Sequence, residues 1–387
     1  MPAPPGRSSS SACACRLAAS SRFERRVSAY PGAERERRIP PDRLHAVVTG
    51  IFAACGMSAD DAALLGDTLV TADLQGVHSH GVLRVPEYAD RLLDRTIDPR
   101  GRPRVDREAA AAILVDGGNS MGQIGATFAM RRAIERARTM NVAVAAVRGS
   151  NHCGAMAYYA RLALAEDMIG LATTNALPTM APWGAIDKIL GINPLAVAIP
   201  AAEERPVVMD AAFSHSAHGK IRVYQQKGLP IPEGWAFDAE GRPTTEAAAA
   251  LGGLLQPVGG YKGTGFALVM GILSAVLSGA SYGTELGTLA DGARPGQDGH
   301  LFCAIRIAAF EEPSHFKRRI DGIVRDVHGS RRRAGVDRVW VPGELEAEAE
   351  RRYRREGIPL NDATLDALAT TARRVAVPAD FVARQAP

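Results

Sequence analysis

The sequence predicts an α/β protein, and three observations carry that expectation. From about residue 111 to residue 174, short apolar runs alternate with helix-patterned stretches, as when strands are linked through helices. The flanking segments 41–94 and 312–374 have amphipathic helical patterns instead, which predicts a mainly helical part made by both ends of the chain. No glycine cluster fits the G-x-G-x-x-G register, so an ordinary Rossmann domain is disfavoured.

Order is expected to begin near Pro40. Pro41–Ala54 reads as a helix with apolar residues at 44, 47, 48, 51 and 52 and Gly56 as its stop. Ser58 is the expected N-cap of a second helix, with Asp60 and Asp61 in its first turn, running to about Asp73 before Gly76 breaks it. Arg84–Asp94 reads as a third, with Pro86 tolerated in the opening turn. Ala111–Asp116, Val142–Val147 and Ile169–Thr174 read as strands, with helices Gly122–Met140 and Ala155–Asp167 between them. Leu195–Ile199 and Val207–Met209 add short apolar runs, and residues 224–245, rich in Pro and Gly, suit a long loop over a site. Phe266–Leu277 is apolar nearly all round, which predicts a buried helix, and Leu301–Ile307 is the last clear strand. Residues 312–328, 343–356 and 361–374 read as charged, amphipathic outer helices.

Composition narrows the function classes. The 387 residues are enough for a large core and two intertwined domains. No run of eighteen apolar residues occurs, so neither a membrane span nor a membrane partner is expected. Cys13, Cys15, Cys55, Cys153 and Cys303 are odd in number and scattered, which points to a reduced, cytoplasmic protein. Cys13 and Cys15 form a CxC pair without the second pair of a zinc knuckle, and no metal is expected. Residues 1–38 hold eight Arg and three Glu, more than the whole formal charge of +4, so the remainder is near neutral and no nucleic-acid partner is expected. That tail reads as disordered; its first 23 residues lack acids, which also fits an organelle-targeting segment.

Chemistry concentrates in residues 73–88. Ser79, His80, Arg84 and Tyr88 fall within ten residues, and Arg84 and Tyr88 are spaced i, i+4, on one face of a helix. A guanidinium grips a carboxylate with two prongs, and an imidazole accepts or returns a proton near neutrality. The segment therefore suits holding and deprotonating a small 2-hydroxy acid. The same residues also fit a helix cap with two exposed histidines. His78-x-His80 alone is half a metal site, and no Gly-x-Ser-x-Gly elbow supports a serine nucleophile.

Asn151-His152-Cys153-Gly154 follows a strand and precedes a helix, where α/β proteins bind ligands; a plain turn fits as well. Thr174-Asn175, Gly191-Ile192-Asn193-Pro194 and the loop from Asp210 through His215, His218 and Lys220 are further site-like punctuation. Gly259–Gly265, containing Lys262, is glycine-dense ahead of a helix. Lysine is scarce, at 188, 220, 227, 262 and 317, which draws attention to Lys220 and Lys262.

Taken in order, these segments resemble the type-2 malate/L-lactate dehydrogenase family over about residues 40–375. The resemblance rests on Asp73-x-x-Gly76-x-x-Ser79-His80-Gly81-x-x-Arg84-x-x-x-Tyr88, Ser150-Asn151-His152-Cys153-Gly154, Thr174-Asn175, Gly191-x-Asn193-Pro194, Asp210-x-x-x-Ser214, Lys262-Gly263-x-Gly265 and Val341-Pro342-Gly343-Glu344. It implies NAD- or NADP-dependent interconversion of a 2-hydroxy acid and its 2-oxo acid, or reduction of a cyclic imine such as piperideine-2-carboxylate. It also implies a non-Rossmann nicotinamide-binding fold with a mixed sheet, and a homodimer. A catalytically silent ligand-binding homologue is a further alternative.

Carried over, Ser79 and His80 would form a relay, Arg84 would orient substrate and His152 would accept the proton. Tyr88, Asn175 and Lys220 would line the substrate side. His152, Cys153, Gly154, Ala155 and Met156, then Asp210, Ala211 and Ala212, with Lys262, Pro342, Gly343 and Glu344, would meet the cofactor. The expected organisation is a disordered tail 1–38, an N-terminal helical segment 39–115 packing with a C-terminal strand and helices 295–387, and a nicotinamide-cofactor-binding domain 116–294. The chain departs from the family's usual Ala-Thr-Ser at Ala212-Phe213-Ser214, while Lys220 favours the hydroxy-acid branch, since the imine branch tends to carry an acid there.

Overall fold

Each helix near the start of the chain is set by a local signal. A computed structural model describes residues 35–288 and 292–379, so most of the expected tail lies outside the described residues. Helix α1 (Pro41–Ala54) has Pro in its opening turn and buries Leu44, Val47, Val48, Ile51 and Phe52. Helix α2 (Ala59–Leu74) starts where Ser58 Oγ accepts the Asp61 N–H at 3.2 Å. Helix α3 (Val85–Leu93) carries Pro86 in its first turn and buries Val85, Tyr88, Ala89 and Leu92.

A seven-stranded sheet forms the centre. Its strands are β1 (Arg104–Ala109), β2 (Ala112–Asp116), β3 (Val142–Ser150), β4 (Met168–Thr174), β5 (Leu195–Ile199), β6 (Val207–Ala211) and β7 (Asp298–Arg306), in the order β1-β2-β3-β7-β4-β5-β6. Only β2 and β3 pair in parallel, joined by helix α4 (Gly122–Met140); every other neighbouring pair is antiparallel. The sheet is therefore mixed. Alanines 126, 129, 133 and 137 of α4 meet Val115, Val147 and Phe302 in one core. Small residues on that face let the helix lie close.

Four expectations change here. Strand β1 is mostly exposed and charged, so it has no apolar pattern to read. Strand β7 starts at Asp298 and sits between β3 and β4, so segment 295–387 does not go wholly to the helical part; β1 and β2 likewise join the sheet rather than the N-terminal helices. The expected helix 155–167 is α-helical only over Ala157–Ala160 and continues as 3-10 turns, Arg161–Glu166. Residues 224–245 are not one loop. Helix α5 (His218–Gln226) runs into them, and Ala236–Phe237 pairs with both Pro243–Thr244 and Leu254–Leu255 around a small core containing Ile221, Ile231 and Leu255.

The apolar helix near residue 270 also differs. Helix α6 (Tyr261–Gly271), continued by a π turn at Ile272–Val276, buries Gly263, Ala267, Gly271, Ser274 and Ala275. Its large residues point out: Phe266 is 56% exposed, Val269 48%, Val276 56% and Leu277 62%. Close approach decides this, because a Cβ on Gly271 would come 2.4 Å from Asn193 Nδ2 and only small residues fit the inner side.

Helices α7 (Glu344–Glu356) and α8 (Asp362–Arg374) are the last among the described residues, α8 capped by Asn361 accepting the Thr364 N–H at 2.8 Å. Their Tyr353, Leu365 and Leu368 share one core with Ile51, Phe52, Leu65 and Tyr88. The strand Arg37–Ile39 pairs antiparallel with Ile358–Leu360, so regular structure is already present before Pro40. Among the described residues, no helix is long and apolar enough to cross a membrane.

Candidate active site

The turn after α2 is built on one buried carboxylate. Asp73, with its side chain 1% exposed, accepts the Val82 N–H on Oδ2 at 2.7 Å and holds His78 Nδ1 on Oδ1 at 2.6 Å. A Cβ on Gly81 would lie 2.2 Å from the Asp73 carboxylate, so position 81 is limited to glycine. Two 3-10 turns, His78–His80 and Val82–Arg84, result. They set Ser79 Oγ 2.9 Å from His80 Nδ1, and Arg84 Nε donates to the Ser79 carbonyl at 2.9 Å. Arg84 also pairs with Glu87 at 3.0 Å. A Cβ on Gly219 would lie 3.8 Å from Arg84 Nη2, so the start of α5 borders this guanidinium.

The second imidazole comes from the sheet. Asn151, at the end of β3, donates to Ser120 O at 2.8 Å and Asn119 Oδ1 at 3.0 Å, and accepts the Gly296 N–H at 3.0 Å. His152 follows it, and its Nδ1 lies 2.5 Å from the Tyr88 hydroxyl. Gln123 Nε2 donates to the same hydroxyl at 3.4 Å. The rings of His80 and His152 stack with centroids 5.7 Å apart and planes 16° from parallel. Ser79, His80, Arg84, Tyr88 and His152 are thus brought together.

Burial dominates the electrostatics. It holds His80 well below 6.5, with His152 and Arg84 adding to the effect. Burial, then the charge of Arg84, lowers His152 to about 3. Burial also raises the Tyr88 hydroxyl. Two uncharged imidazoles therefore stand beside one cation.

The other expected residues divide. Asp210 Oδ2 accepts the Ala157 N–H at 2.7 Å, and crowding by protein raises its carboxyl to about 6 although the residue keeps an open surface. Ala211 is exposed, and Gly154, Ala155 and Ala212 are half-buried. Cys153 is buried with its thiol raised, Sγ lying 3.6 Å from Met156 Sδ and 3.7 Å from His300 Nδ1, so both sulfur residues pack inward. Asn175 is buried and committed to Ser281 O at 2.8 Å and Gly299 N at 3.1 Å. Lys220 places Nζ 5.0 Å above the Trp235 ring, next to Gly219. Lys262 is exposed at the start of α6. The Pro342 carbonyl accepts the Val208 N–H at 2.9 Å, which docks Pro342 and Gly343 on β6. Glu344 accepts the Val341 N–H at 2.9 Å and pairs with His328 at 3.0 Å and Arg338 at 3.3 Å.

Two residues of this neighbourhood escaped sequence reasoning. Gln123 is a fully buried polar residue on the small-residue face of α4, and that mismatch is a readable signal. His300 is fully buried in β7, held by Ser150 Oγ at 2.8 Å and Thr174 Oγ1 at 2.7 Å; nothing local marks it, because its partners are distant in sequence.

The pH consequence has a definite sign. Unfolded imidazoles titrate near 6.5, while His152 and His300 are lowered by burial to about 3 and about 4. They contribute stability present above 6.5 and lost as pH falls toward those values. Asp298, raised by burial to about 7, acts oppositely; its contribution is present at low pH and lost as pH rises through that value. Ring-nitrogen NMR shifts of the free protein at about pH 5 should report both imidazoles uncharged. A midpoint near 6.5 for either would contradict the burial described.

Known proteins resemble this chain along most of its length. The family model described as malate/L-lactate dehydrogenase matches residues 39–369. The chain is 36% identical over 348 residues to malate dehydrogenase of Pyrococcus abyssi, covering 88% of this chain and 95% of that protein. It is also 36% identical over 323 residues to L-sulfolactate dehydrogenase of Methanocaldococcus jannaschii, covering 84% and 93%. The crystal structure of malate dehydrogenase from Entamoeba histolytica superposes with a TM-score of 0.86 at 30% identity, covering 89% of this chain and all of that one. The chain belongs to the malate/L-lactate dehydrogenase family.

Proposed function

We propose that this chain is an NAD(P)-dependent dehydrogenase that interconverts a small 2-hydroxy acid and its 2-oxo acid. One observation carries the reading: two stacked, uncharged imidazoles lie beside Arg84. A nicotinamide dinucleotide fits the adjoining surface. The end of β6 leaves Met209, Asp210 and Ala211 exposed, and Gly154 and Gly343, with φ +80° and +94°, bring backbone close without side chains. With one parallel pair in the sheet, the cofactor would be held by these loops and not at the switch point of a parallel sheet. When bound, the nicotinamide supplies the hydride acceptor.

The chain's own residues do the rest. Arg84 takes the C1 carboxylate through a charged fork. That carboxylate offsets the Arg84 charge, which is one of the influences holding His152 low, so substrate binding raises the proton affinity of the imidazole. Tyr88 and Ser79 fix the two rings through their Nδ1 atoms. His152 takes the hydroxyl proton in oxidation and returns it in reduction. Lys220, beside the start of α5, suits a second anionic group on the acid, as malate and sulfolactate both carry.

The outward apolar face of α6 and its π turn is the proposed homodimer contact. Phe266 stacks on Phe213 with centroids 5.3 Å apart, which stiffens part of that face. Large exposed apolar patches of this kind mark association surfaces.

Reduction of oxaloacetate, sulfopyruvate and pyruvate by NADH or NADPH tests the reading, with turnover expected and the dianionic acids preferred. His152→Ala should lower turnover by about 10²–10⁴; an unchanged rate would move proton transfer to His80. Arg84→Lys should raise KM, since a point charge cannot reproduce the fork; a normal KM would remove the carboxylate grip. By sedimentation equilibrium the protein should have twice the 41.0 kDa chain mass, and Phe266→Asp should halve it. A wild-type monomer would refute the contact.

A further inference from the structure

A second cationic feature lies away from the imidazole pair, in the segment between helix Pro313–Gly329 and α7. A cleft of about 590 Å³ there is lined by His328, Arg331, Arg332, Asp337 and Arg338 among others. Arg331, Arg332 and Arg333 are consecutive and exposed. Arg331 has no ion-pair partner among the described residues. Arg332 donates to the Asp337 carbonyl, which fixes the loop without using the arginine's charge. Arg338 lies 4.0 Å above the Trp340 ring and pairs with Glu344 at 3.3 Å and Glu348 at 3.5 Å, so its plane is set in advance. Of the residues lining the cleft, Asp337 is the one acid, against three arginines and a histidine.

Its position links it to the proposed cofactor surface. Glu344 joins the cleft, through His328 and Arg338, to the Pro342-Gly343 turn. That turn is bonded to β6 at Val208, two residues before Asp210. A dinucleotide lying at the end of β6 therefore has this basic cleft next along the same turn. The volume is within the range of small-molecule clefts.

We propose that the cleft binds the 2′-phosphate of an adenine ribose, so that this chain prefers NADP(H) to NAD(H). The inference rests on the dinucleotide-binding reading above. A phosphate monoester carries roughly −1.5 to −2 charges at neutral pH, against none for the 2′-hydroxyl of NAD. Arginine forks match its oxygens in pairs, and each charged bond adds discrimination that the hydroxyl cannot obtain. Arg331 and Arg332 supply that charge, and Arg338 supplies a flat surface beside it.

Calorimetric titration of the full chain with NADPH, NADH, 2′,5′-ADP and 5′-ADP tests this without turnover. NADPH should bind at least about tenfold more tightly than NADH, and 2′,5′-ADP should exceed 5′-ADP by a similar factor, the size of one charge-assisted bond. Arg331→Ala with Arg332→Ala should abolish both preferences and leave NADH affinity intact, while the Lys pair should keep much of them. Equal affinities for NADPH and NADH would overturn the proposal alone. So would equal binding of the two ADP isomers, or a variant that weakens both dinucleotides alike. Binding of neither dinucleotide would overturn the parent reading as well.

Discussion

The hydrogen bond between Tyr88 and His152 is the interaction on which the rest of this site depends. Tyr88 belongs to a core of terminal helices, and His152 to a loop at the end of a sheet strand with a separate core. Neither unit alone brings His80 and His152 together. The 2.5 Å contact sets one ring against the other and leaves Arg84 at their edge. Everything that fixes either side contributes: Asp73 under the Ser79-His80 turn, Asn151 beneath the His152 loop, Gln123 on the shared hydroxyl. The early helices and the late helices α7 and α8 share one helical core, and β7 lies in the middle of the sheet.

The energetics of this site without and with an anionic substrate point in opposite directions, and that contrast is the chemical content. Packing two half-buried imidazoles beside a cation keeps the rings uncharged, because a second positive charge in a partly desolvated space is costly. An anionic substrate relieves that cost. The proton affinity required of a base therefore arises with the acid in place. The arrangement belongs naturally to an enzyme whose substrate carries a carboxylate next to the hydroxyl it oxidises.

Much of this was legible in the sequence, for identifiable reasons. Helix Gly122–Met140 and helix Pro41–Ala54 coincide with their predicted bounds, since capping, Pro placement and apolar spacing act locally. Ser79, His80, Arg84 and Tyr88 were readable because one short segment carries them all. What failed was long-range. Strand β1 is nearly bare of apolar residues, β7 finds its place only through two distant partners, and His300 gains meaning from Ser150 and Thr174. The α6 helix was misread because apolar composition gives no direction; small residues took the inner side and large ones were left outside. Cys153 packs its thiol against Met156 and His300, and Asn175 bonds the backbone at Ser281 and Gly299, partners that lie far off in sequence or inside the core.

Direct transfer of hydrogen is the central claim, and isotopic labelling addresses it most directly. The protein would be incubated with oxidised dinucleotide and malate, sulfolactate or lactate deuterated at C2, and the reduced dinucleotide examined by mass and NMR. The account predicts deuterium at the nicotinamide C4 from at least one of these acids. Reduced dinucleotide lacking deuterium, or none formed from any of the three, would contradict it.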